Sequence, residues 1–197
     1  MRIIIIRHGE SKENVNGKMI GWTNGSLTLR GRFQAFQVGL KLIPKKIDLI
    51  ISSDLGRALK TSKIISILNF KAFKTDSRLR ERNLGILEEL TVKEALAYYP
   101  EEYNLYRNIE EVNYQIPKGE SKTDCYKRTI EVIKELTNKY DDNFNAVLIT
   151  HHGPIDNVFK YITGINLKTQ SKWQIKNCSI NEFIADNKEN KIVKWGK

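Results

Sequence analysis

The chain has few of the features that mark secreted, disulfide-stapled or membrane-spanning proteins. It contains two cysteines and four prolines in 197 residues, and no apolar run approaches the ~18 residues that a membrane-spanning helix needs. Cys125 and Cys178 lie far apart and show no CxxC spacing. We therefore expect both to be reduced, structural thiols.

The N-terminal segment also lacks the pattern of a secretory signal. Such a signal needs an apolar region of about 7–15 residues, and the four isoleucines Ile3 to Ile6 are too few. We expect a cytoplasmic location and no association with membranes. The length suits a single domain, with room for one sizeable insertion.

Acidic residues are fewer than basic ones. The 23 Asp and Glu against 33 Lys and Arg leave a net charge of +10. A surplus of positive charge is typical of proteins that bind nucleic acids. The basic residues are scattered, however, with no Lys/Arg block of five or more and no zinc-finger or RNP-type motif. We interpret the surplus as a solvated surface without a nucleic-acid partner, which can also steer a phosphorylated small molecule.

The chain does contain buried strands that alternate with helices. Ile3 to Ile6 form a β-branched run typical of a strand buried on both faces, and residues 47–51 and 146–149 are similar. Helices are predicted between these strands, from 121 to about 139, and from near Pro154 to Gly164. The alternation indicates an α/β sheet.

Two of the early helices can be predicted in more detail. Thr28 is a candidate N-cap for a helix whose buried stripe is expected at Phe33, Phe36 and Leu40. Ser52-Ser53-Asp54 is expected to cap the next helix, which runs to about Leu68. That helix is predicted to bury the apolar residues at helical spacing, namely Leu55, Leu59, Ile64 or Ile65, and Leu68.

Residues 98–120 show poor periodicity and contain several tyrosines. We expect one domain over residues 1–197 in which this segment is an inserted lid, and the alternative is simple packing of a small satellite core. Thr91 to Glu94 form a capping box for a helix that Pro100 ends. A terminal hairpin is predicted from Ser179 to Ala185 and Lys191 to Trp195 around a turn at 186–190.

Two buried strands end in a histidine that glycine closely follows, in Arg7-His8-Gly9 and in Thr150-His151-His152-Gly153. A parallel sheet aligns the carboxyl ends of its strands, so the histidines can share a crevice if these strands are neighbours. An imidazole with one nitrogen free and the other hydrogen-bonded is a nucleophile toward phosphorus. The alternative is a polar turn after a buried strand.

Further motifs extend this pattern along the chain. They are Arg7-His8-Gly9-Glu10-Ser11 with Asn14, Gly21-Trp22-Thr23, Ser52-Ser53-Asp54-Leu55-Gly56-Arg57-Ala58, Leu79-Arg80-Glu81 with Gly85, Pro117-Lys118-Gly119-Glu120-Ser121 and Asn177-Cys178-Ser179-Ile180. In this combination and order the chain resembles the histidine phosphatase superfamily, also called the phosphoglycerate mutase-like family, almost end to end. The resemblance implies a three-layer α/β sandwich with a mostly parallel central sheet covered by helices.

The resemblance also implies roles for particular residues. His8 would be the nucleophile that becomes phosphohistidine, and Glu81 would be the general acid and then the general base. The phosphoryl oxygens would be bound by Arg7, Arg57 and His151, with support from Asn14 and from the backbone N–H of His152. His151 is preferred to His152 because the family pattern places the histidine directly after the small residue that closes the strand, here Thr150.

The implied activity is that of a histidine acid phosphatase-type enzyme that hydrolyses small phosphorylated metabolites without a cofactor or metal. The His151-His152 pair suggests a metal, but no carboxylate or cysteine lies at ligand spacing from it. A cofactor-dependent phosphoglycerate mutase is the alternative, and Arg82 would suit its substrate carboxylate. Arg107 stands alone where mutases carry paired arginines, which favours hydrolysis.

Three further points concern the class of protein, its assembly and a departure from the family pattern. A basic binding protein without enzymatic activity is the alternative from a different class, and a homodimer is the expected assembly if the chain self-associates. Asp156 occupies a position that arginine often holds in the family.

Overall fold

The structure is a computed structural model that describes residues 1–171, 173–185 and 190–196. The strands are β1 (Arg2–Arg7), β2 (Leu49–Ser52), β3 (Phe73–Thr75), β4 (Asn145–Thr150), β5 (Ile180–Ile184) and β6 (Lys191–Lys194). The helices are α1 (Lys12–Val15), α2 (Leu29–Leu42), α3 (Gly56–Leu68), α4 (Val92–Tyr98), α5 (Pro100–Arg107), α6 (Lys122–Lys139) and α7 (His152–Thr163). Within these ranges no helix is long and apolar enough to cross a membrane.

The six strands form one central sheet in the order β3-β2-β4-β1-β5-β6. The four strands from β3 to β1 are parallel, whereas β5 runs antiparallel to β1 and pairs with β6 in a terminal hairpin. This arrangement confirms the predicted α/β fold with a mostly parallel sheet. It also confirms the hairpin, although residues 186–189 of its predicted turn lie outside the described part of the chain.

The isoleucine run of β1 is buried on both faces of the sheet, as predicted. Successive side chains of a strand point to opposite faces, so Ile3 and Ile5 enter the apolar core beneath α6 and α7. Ile4 and Ile6 enter the second core, beneath α2 and α3. Two helical layers therefore enclose the sheet, which is the expected three-layer sandwich.

The predicted inner face of α2 is wrong. Phe33 and Phe36 are 60% and 42% exposed, and the buried residues of this helix are smaller. One reason is a close approach of backbones at the start of the helix, since a Cβ at Gly31 would collide with the carbonyl oxygen of Glu10. A second is side-chain packing, since a Cβ at Gly39 would collide with the side chain of Leu68. Small residues therefore face inward, and the bulky stripe points to solvent.

The predicted cap of α3 needs correction, whereas its predicted inner face is confirmed at Leu55 and Ile65, which are both buried. The helix begins at Gly56, and its N-cap residue makes no side-chain capping bond. Asp54 instead forms a double hydrogen bond with the guanidinium of Arg80. The inner face of α3 is largely polar because it borders the candidate site, and its buried residues are Arg57, Ala58, Thr61, Ser62 and Ile65. Leu59 and Leu68 are only partly buried.

Residues 98–120 contain a helix where the sequence predicts irregular structure. Pro100 begins α5 as its first residue, a position that tolerates proline because its missing N–H would be unbonded there. Tyr103, Tyr106 and Tyr114 pack on a small core of Leu84, Leu87, Ala95 and Ile116. The satellite-core interpretation therefore holds for these three tyrosines, whereas movement of the segment as a lid stays a prediction.

The corrected packing of α2 can be tested by two leucines of the same helix. Leu42 is 0% exposed and Leu40 is 45% exposed. We expect Leu42→Ala to lower the free energy of unfolding by about 2–5 kcal/mol because it opens a cavity. Leu40→Ala should lower it by less than about 1 kcal/mol. Urea denaturation with an unchanged m-value measures both, and equal losses would contradict the packing.

Candidate active site

The two histidine-bearing strand ends lie side by side. Strands β1 and β4 pair in parallel with Arg7 opposite Thr150, and the backbone N–H of His8 donates to the Thr150 carbonyl at 2.9 Å. The rings of His8 and His151 consequently approach to 5.0 Å between centroids, tilted by 57°. Both side chains are buried. The sequence argument required the two histidine-bearing strands to be neighbours, and the pairing of β1 with β4 meets this condition.

The hydrogen bonds of His8 define its protonation. Its Nδ1 lies 2.7 Å from the Gly9 carbonyl oxygen, which can only accept, so Nδ1 carries the proton. Its Nε2 accepts a hydrogen bond from Nε of Arg57 at 3.2 Å. Burial lowers the pKa of His8 well below its usual value, and the charges of Arg57 and Arg7 lower it further. The ring is therefore neutral, with its Nε2 lone pair turned toward a cation.

His151 is held at one nitrogen only. Its Nε2 lies 2.8 Å from the hydroxyl of Ser53, whereas its buried Nδ1 has no hydrogen-bond partner among the described residues. Burial, followed by the charge of Arg57, lowers the pKa of His151 well below its usual value. A buried nitrogen without a partner is uncommon, and a ligand beside His8 would supply one.

Arg57 is the largest fully buried side chain on α3 and is oriented by backbone carbonyls. Its Nη1 donates to the Thr23 carbonyl at 2.8 Å and its Nη2 to the Gly21 carbonyl at 2.7 Å. Burial lowers the pKa of Arg57 to about 10, so the group stays protonated at neutral pH. The backbone of residues 21–23 thus aims a fixed guanidinium at His8.

Arg7 provides a second cation at the same place. Its Nη1 donates to the Ile175 carbonyl at 2.6 Å, and its buried Nε has no partner among the described residues. Burial lowers the pKa of Arg7 from its usual value. Two guanidinium groups with donors to spare, next to a neutral imidazole, form a site suited to an anion such as a phosphoryl group.

Glu81 is held in place by backbone N–H groups. Its Oε1 accepts the backbone N–H of Arg82 at 2.9 Å and that of Gly153 at 3.1 Å. Gly153 is in the first turn of α7, and a Cβ at this position would collide with the Glu81 carboxylate. The glycine therefore permits the close approach. Trp22 fixes the same segment, since its Nε1 donates to the Glu81 carbonyl at 2.7 Å.

Arg128 of α6 holds the segment around Glu81, and no motif in the sequence pointed to it. Its Nη1 donates to the carbonyls of Arg78 and Arg80, both at 2.7 Å, and its Nη2 donates to the Glu81 carbonyl at 2.8 Å. The carboxylate of Glu120 accepts from both Nε and Nη2 of Arg128. Only the fold brings this helix beside the segment, so a sequence pattern gives no signal for the contact.

Most of the predicted site residues line one cavity of about 550 Å³. Its wall includes His8, Glu81, Arg7, Asn14, Arg57 and His152. The Asn14 Oδ1 accepts hydrogen bonds from the Ser11 N–H at 3.2 Å and from the Asn177 amide at 3.3 Å. The side chain of His152 is exposed on the cavity wall, whereas His151 lies buried against His8.

The cavity wall also contains cations that the sequence argument did not single out, Lys122 of α6 and Lys160 of α7. Within the described part of the chain, no group of three or more His, Cys, Asp and Glu side chains is arranged to hold a metal ion. The cavity thus combines a neutral imidazole, the carboxylates of Glu81 and Asp156, and several cations.

This fold and site agree with what comparison with known proteins shows. The model of the histidine phosphatase superfamily (branch 1) matches residues 3–197, so the chain belongs to this superfamily. It is accordingly an enzyme of the phosphatase or mutase type. The match confirms the resemblance of the motifs.

Individual relatives include both kinds of enzyme. The chain is 30% identical over 182 residues to a protein of Escherichia coli O1:K1 named probable phosphoglycerate mutase GpmB, covering 91% of this chain and 83% of that one. It is 25% identical to YhfR of Bacillus stearothermophilus, with a TM-score of 0.92 and coverage of 100% and 96%. A mycobacterial glucosyl-3-phosphoglycerate phosphatase is 25% identical, with a TM-score of 0.86 and coverage of 99% and 98%.

The neutral buried histidines predict how stability depends on pH. In the unfolded chain a histidine titrates near pH ~6.5, whereas burial lowers the pKa values of His8 and His151. The unfolded state therefore binds more protons below that pH, and stability should fall as the pH falls from about 7.5 to about 5.5. The slope is at most ~1.4 kcal/mol per pH unit for each histidine.

Urea unfolding across this pH range measures the effect. His151→Gln serves as the comparison because it removes one of the two titrating groups, and its slope should be shallower than that of the unmodified chain. A stability that is flat over this range, or an unchanged slope in the variant, would show that these histidines are not held neutral.

Proposed function

We propose that the protein is a phosphatase that hydrolyses small-molecule phosphate monoesters through a phosphohistidine intermediate on His8. The observation that carries this proposal is the neutral imidazole of His8, whose Nδ1 faces the Gly9 carbonyl oxygen and whose Nε2 lone pair faces Arg57. A nucleophile toward phosphorus needs such an arrangement, with one ring nitrogen held and the other available.

In the first step the Nε2 of His8 attacks phosphorus and the bond from phosphorus to the alcohol oxygen breaks. The Nε–H of Arg57 then donates to a phosphoryl oxygen, because the Nε2 lone pair is consumed in the new bond. The Gly9 carbonyl oxygen accepts from Nδ1 and so stabilises the positive charge that the phosphorylated ring carries. Arg7 and the Nδ1 of His151 contact the remaining phosphoryl oxygens.

Glu81 acts first as general acid and then as general base. In its protonated form it gives a proton to the departing alcohol oxygen, and the resulting carboxylate takes a proton from the water that attacks phosphorus in the second step. The bond between nitrogen and phosphorus then breaks, inorganic phosphate leaves, and His8 returns to its neutral form. The position of Glu81 on the cavity wall with His8 supports this role. Asn14 and the backbone N–H of His152 support the phosphate.

A phosphoglycerate mutase is the second candidate because curated relatives such as the Escherichia coli protein bear that name. A mutase passes the phosphoryl group from the histidine to a hydroxyl of a second substrate instead of to water. Arg107, the last residue of α5, lines the cavity. The family resemblance implies a pair of arginines in this region of a mutase, so a single arginine supports hydrolysis over transfer. We propose that the enzyme is cytoplasmic and that neither reaction needs a metal.

Replacement of the nucleophile tests the covalent mechanism. We expect His8→Ala to lower turnover of p-nitrophenyl phosphate by at least about 1,000-fold and to abolish acid-labile labelling by a phosphorylated substrate. The unmodified enzyme should retain its activity in excess EDTA. Survival of both turnover and labelling in the variant would remove His8 as the nucleophile, and loss of activity with EDTA would show a metal requirement.

A coupled assay separates the two candidate reactions. 3-Phosphoglycerate is supplied with enolase as the coupling enzyme, with and without 2,3-bisphosphoglycerate, while inorganic phosphate is measured in the same samples. A phosphatase releases phosphate at a rate that the bisphosphate does not stimulate, and enolase product does not accumulate. Enolase product that depends on the bisphosphate, without phosphate release, would identify a mutase.

A further inference from the structure

The helical layer that α2 and α3 form on one face of the sheet contains no acidic residue. The two helices cover the same core and pack against each other. Residues 29–47 and 55–75, which form these helices and the segments that follow them, contain ten Lys and Arg residues and no Asp or Glu. This excess equals the net charge of +10 of the whole chain. The positive charge that looks scattered along the sequence therefore resides in this layer and the chain around it.

Several cations of the layer are exposed and uncompensated. Arg32 and Lys41 on α2, and Lys60 and Lys63 on α3, are open to solvent. Carboxylates of neighbouring segments pair with other cations of the layer, such as Arg30, but the ion pairs of the described residues include none of these four. Exposed cations of one sign attract a surface of negative charge.

The same layer exposes a stripe of large apolar side chains on α2. They recur at alternating spacings of four and three residues, which places them on one side of the helix. The exposed members are Leu29, Phe33, Phe36, Leu40 and Ile43. At 1.5 Å per residue the stripe extends over about 20 Å. A continuous exposed apolar surface of this kind marks an interaction site.

Phe70 extends this apolar surface beyond the end of α3. The two residues before it contact α2, since a Cβ at Gly39 would collide with Leu68 and the side-chain amide of Asn69 donates to the Gly39 carbonyl at 3.1 Å. Phe70 itself is 96% exposed. It therefore projects into solvent from the edge of α3 that borders Leu40 of the stripe.

The backbone of Phe70 is unusual for an exposed aromatic residue. The N–H of Lys71 donates to the Ser66 carbonyl at 3.1 Å and that of Phe70 to the Ile67 carbonyl at 3.3 Å. These are the two bonds of a Schellman turn, in which glycine usually occupies the left-handed position that Phe70 holds with a φ of 50°. Neither packing nor backbone preference accounts for phenylalanine there, which points to a contact outside the folded chain.

We propose that the α2–α3 face, made of these exposed cations and apolar side chains, binds the surface of an anionic lipid membrane. Phe70 and the stripe of α2 enter the boundary between headgroups and acyl chains, and the Lys and Arg residues contact lipid phosphates. Basic helices with Phe and Leu beside the charges bind membranes in this way, and anionic lipids attract clusters of Lys and Arg. Surface binding needs no spanning helix, and it takes the place of the sequence-based expectation of no association with membranes.

Other occupants fit this face less well. A second copy of the chain would bring two acid-free faces together, and like charges across an interface repel. A nucleic acid offers phosphates but no apolar layer to cover Leu40 and Ile43. A protein partner would have to cover two helices and the projecting Phe70 at once, whereas a fluid lipid surface adapts to them.

Sedimentation with lipid vesicles tests the proposal. Vesicles of phosphatidylcholine with about 30% phosphatidylglycerol should bind the protein at least about 10-fold more tightly than vesicles of phosphatidylcholine alone. Raising NaCl from about 0.05 to about 0.5 M should weaken binding to the anionic vesicles at least about 10-fold, because salt screens the attraction.

Phe70→Gly separates a membrane contact from a structural role. Glycine suits the left-handed turn, so the urea midpoint should stay equal or rise, whereas binding to anionic vesicles should fall about 5-fold or more. Phe70→Leu keeps an apolar side chain and should retain binding within about 2-fold. Tyr98→Ala removes an exposed aromatic side chain from α4, outside the layer, and should leave binding unchanged.

A charge reversal tests the basic part of the face. Lys60→Glu combined with Lys63→Glu should weaken binding to anionic vesicles at least about 10-fold. Lys127→Glu combined with Lys134→Glu makes the same change of net charge on α6, which covers the opposite face of the sheet, and should weaken binding less than about 3-fold. Turnover of p-nitrophenyl phosphate should be unchanged in all of these variants, so the result does not depend on the proposed function.

Several results would overturn the proposal. They include no binding to anionic vesicles, equal binding to both kinds of vesicle, and equal loss in the two charge reversals, which would reflect net charge alone. A lowered urea midpoint of Phe70→Gly would show that the phenylalanine serves the fold. A dimer in sedimentation equilibrium that Phe70→Gly dissociates, without vesicle binding, would identify a second copy as the occupant. Tight binding of duplex DNA that Phe70→Gly does not weaken, without vesicle binding, would identify a nucleic acid.

Discussion

The parallel pairing of β1 with β4 is the contact on which the rest of the structure depends. It sets Arg7 opposite Thr150 and makes the two histidine-bearing ends adjacent at one edge of the sheet. Both strands are buried on both faces, so a slip of one residue would turn each isoleucine of β1 into the wrong core. The packing that stabilises the sheet thus also sets the position of His8, and the fold cannot be changed there without moving the site.

Electrostatics in the cavity follow from burial. Arg7 and Arg57 are held by backbone carbonyls instead of carboxylates, so their positive charge is oriented but not neutralised. This charge, together with burial, lowers the pKa of His8 and keeps its ring neutral. Under the proposed function, a neutral imidazole among cations is suited to an anionic electrophile, because the cations would attract the phosphoryl group while the imidazole keeps its lone pair.

Local signals were reliable where the physical cause is itself local. The capping box at Thr91, the start of α6 after Ser121 and the end of α7 at Gly164 are present as predicted, because each depends on a few neighbouring residues. The stripe of Phe33 and Leu40 was misassigned because helical spacing identifies an apolar face but not what it meets. The inner face of α2 was decided by two glycines, of which Gly31 approaches the backbone of Glu10 and Gly39 approaches the side chain of Leu68.

The sequence by itself determined the class of fold and the family, because strands, caps and ordered motifs are encoded by residues close along the chain. It also predicted a set of candidate site residues, which are His8, His151, Arg7, Arg57 and Glu81. Only the tertiary structure decided how these residues meet. It also decided that Arg128 donates a hydrogen bond to the backbone of Glu81, and that Lys122 and Lys160 line the cavity. Those contacts join elements far apart in sequence, and their geometry follows from how helices pack on the sheet, which no local pattern records.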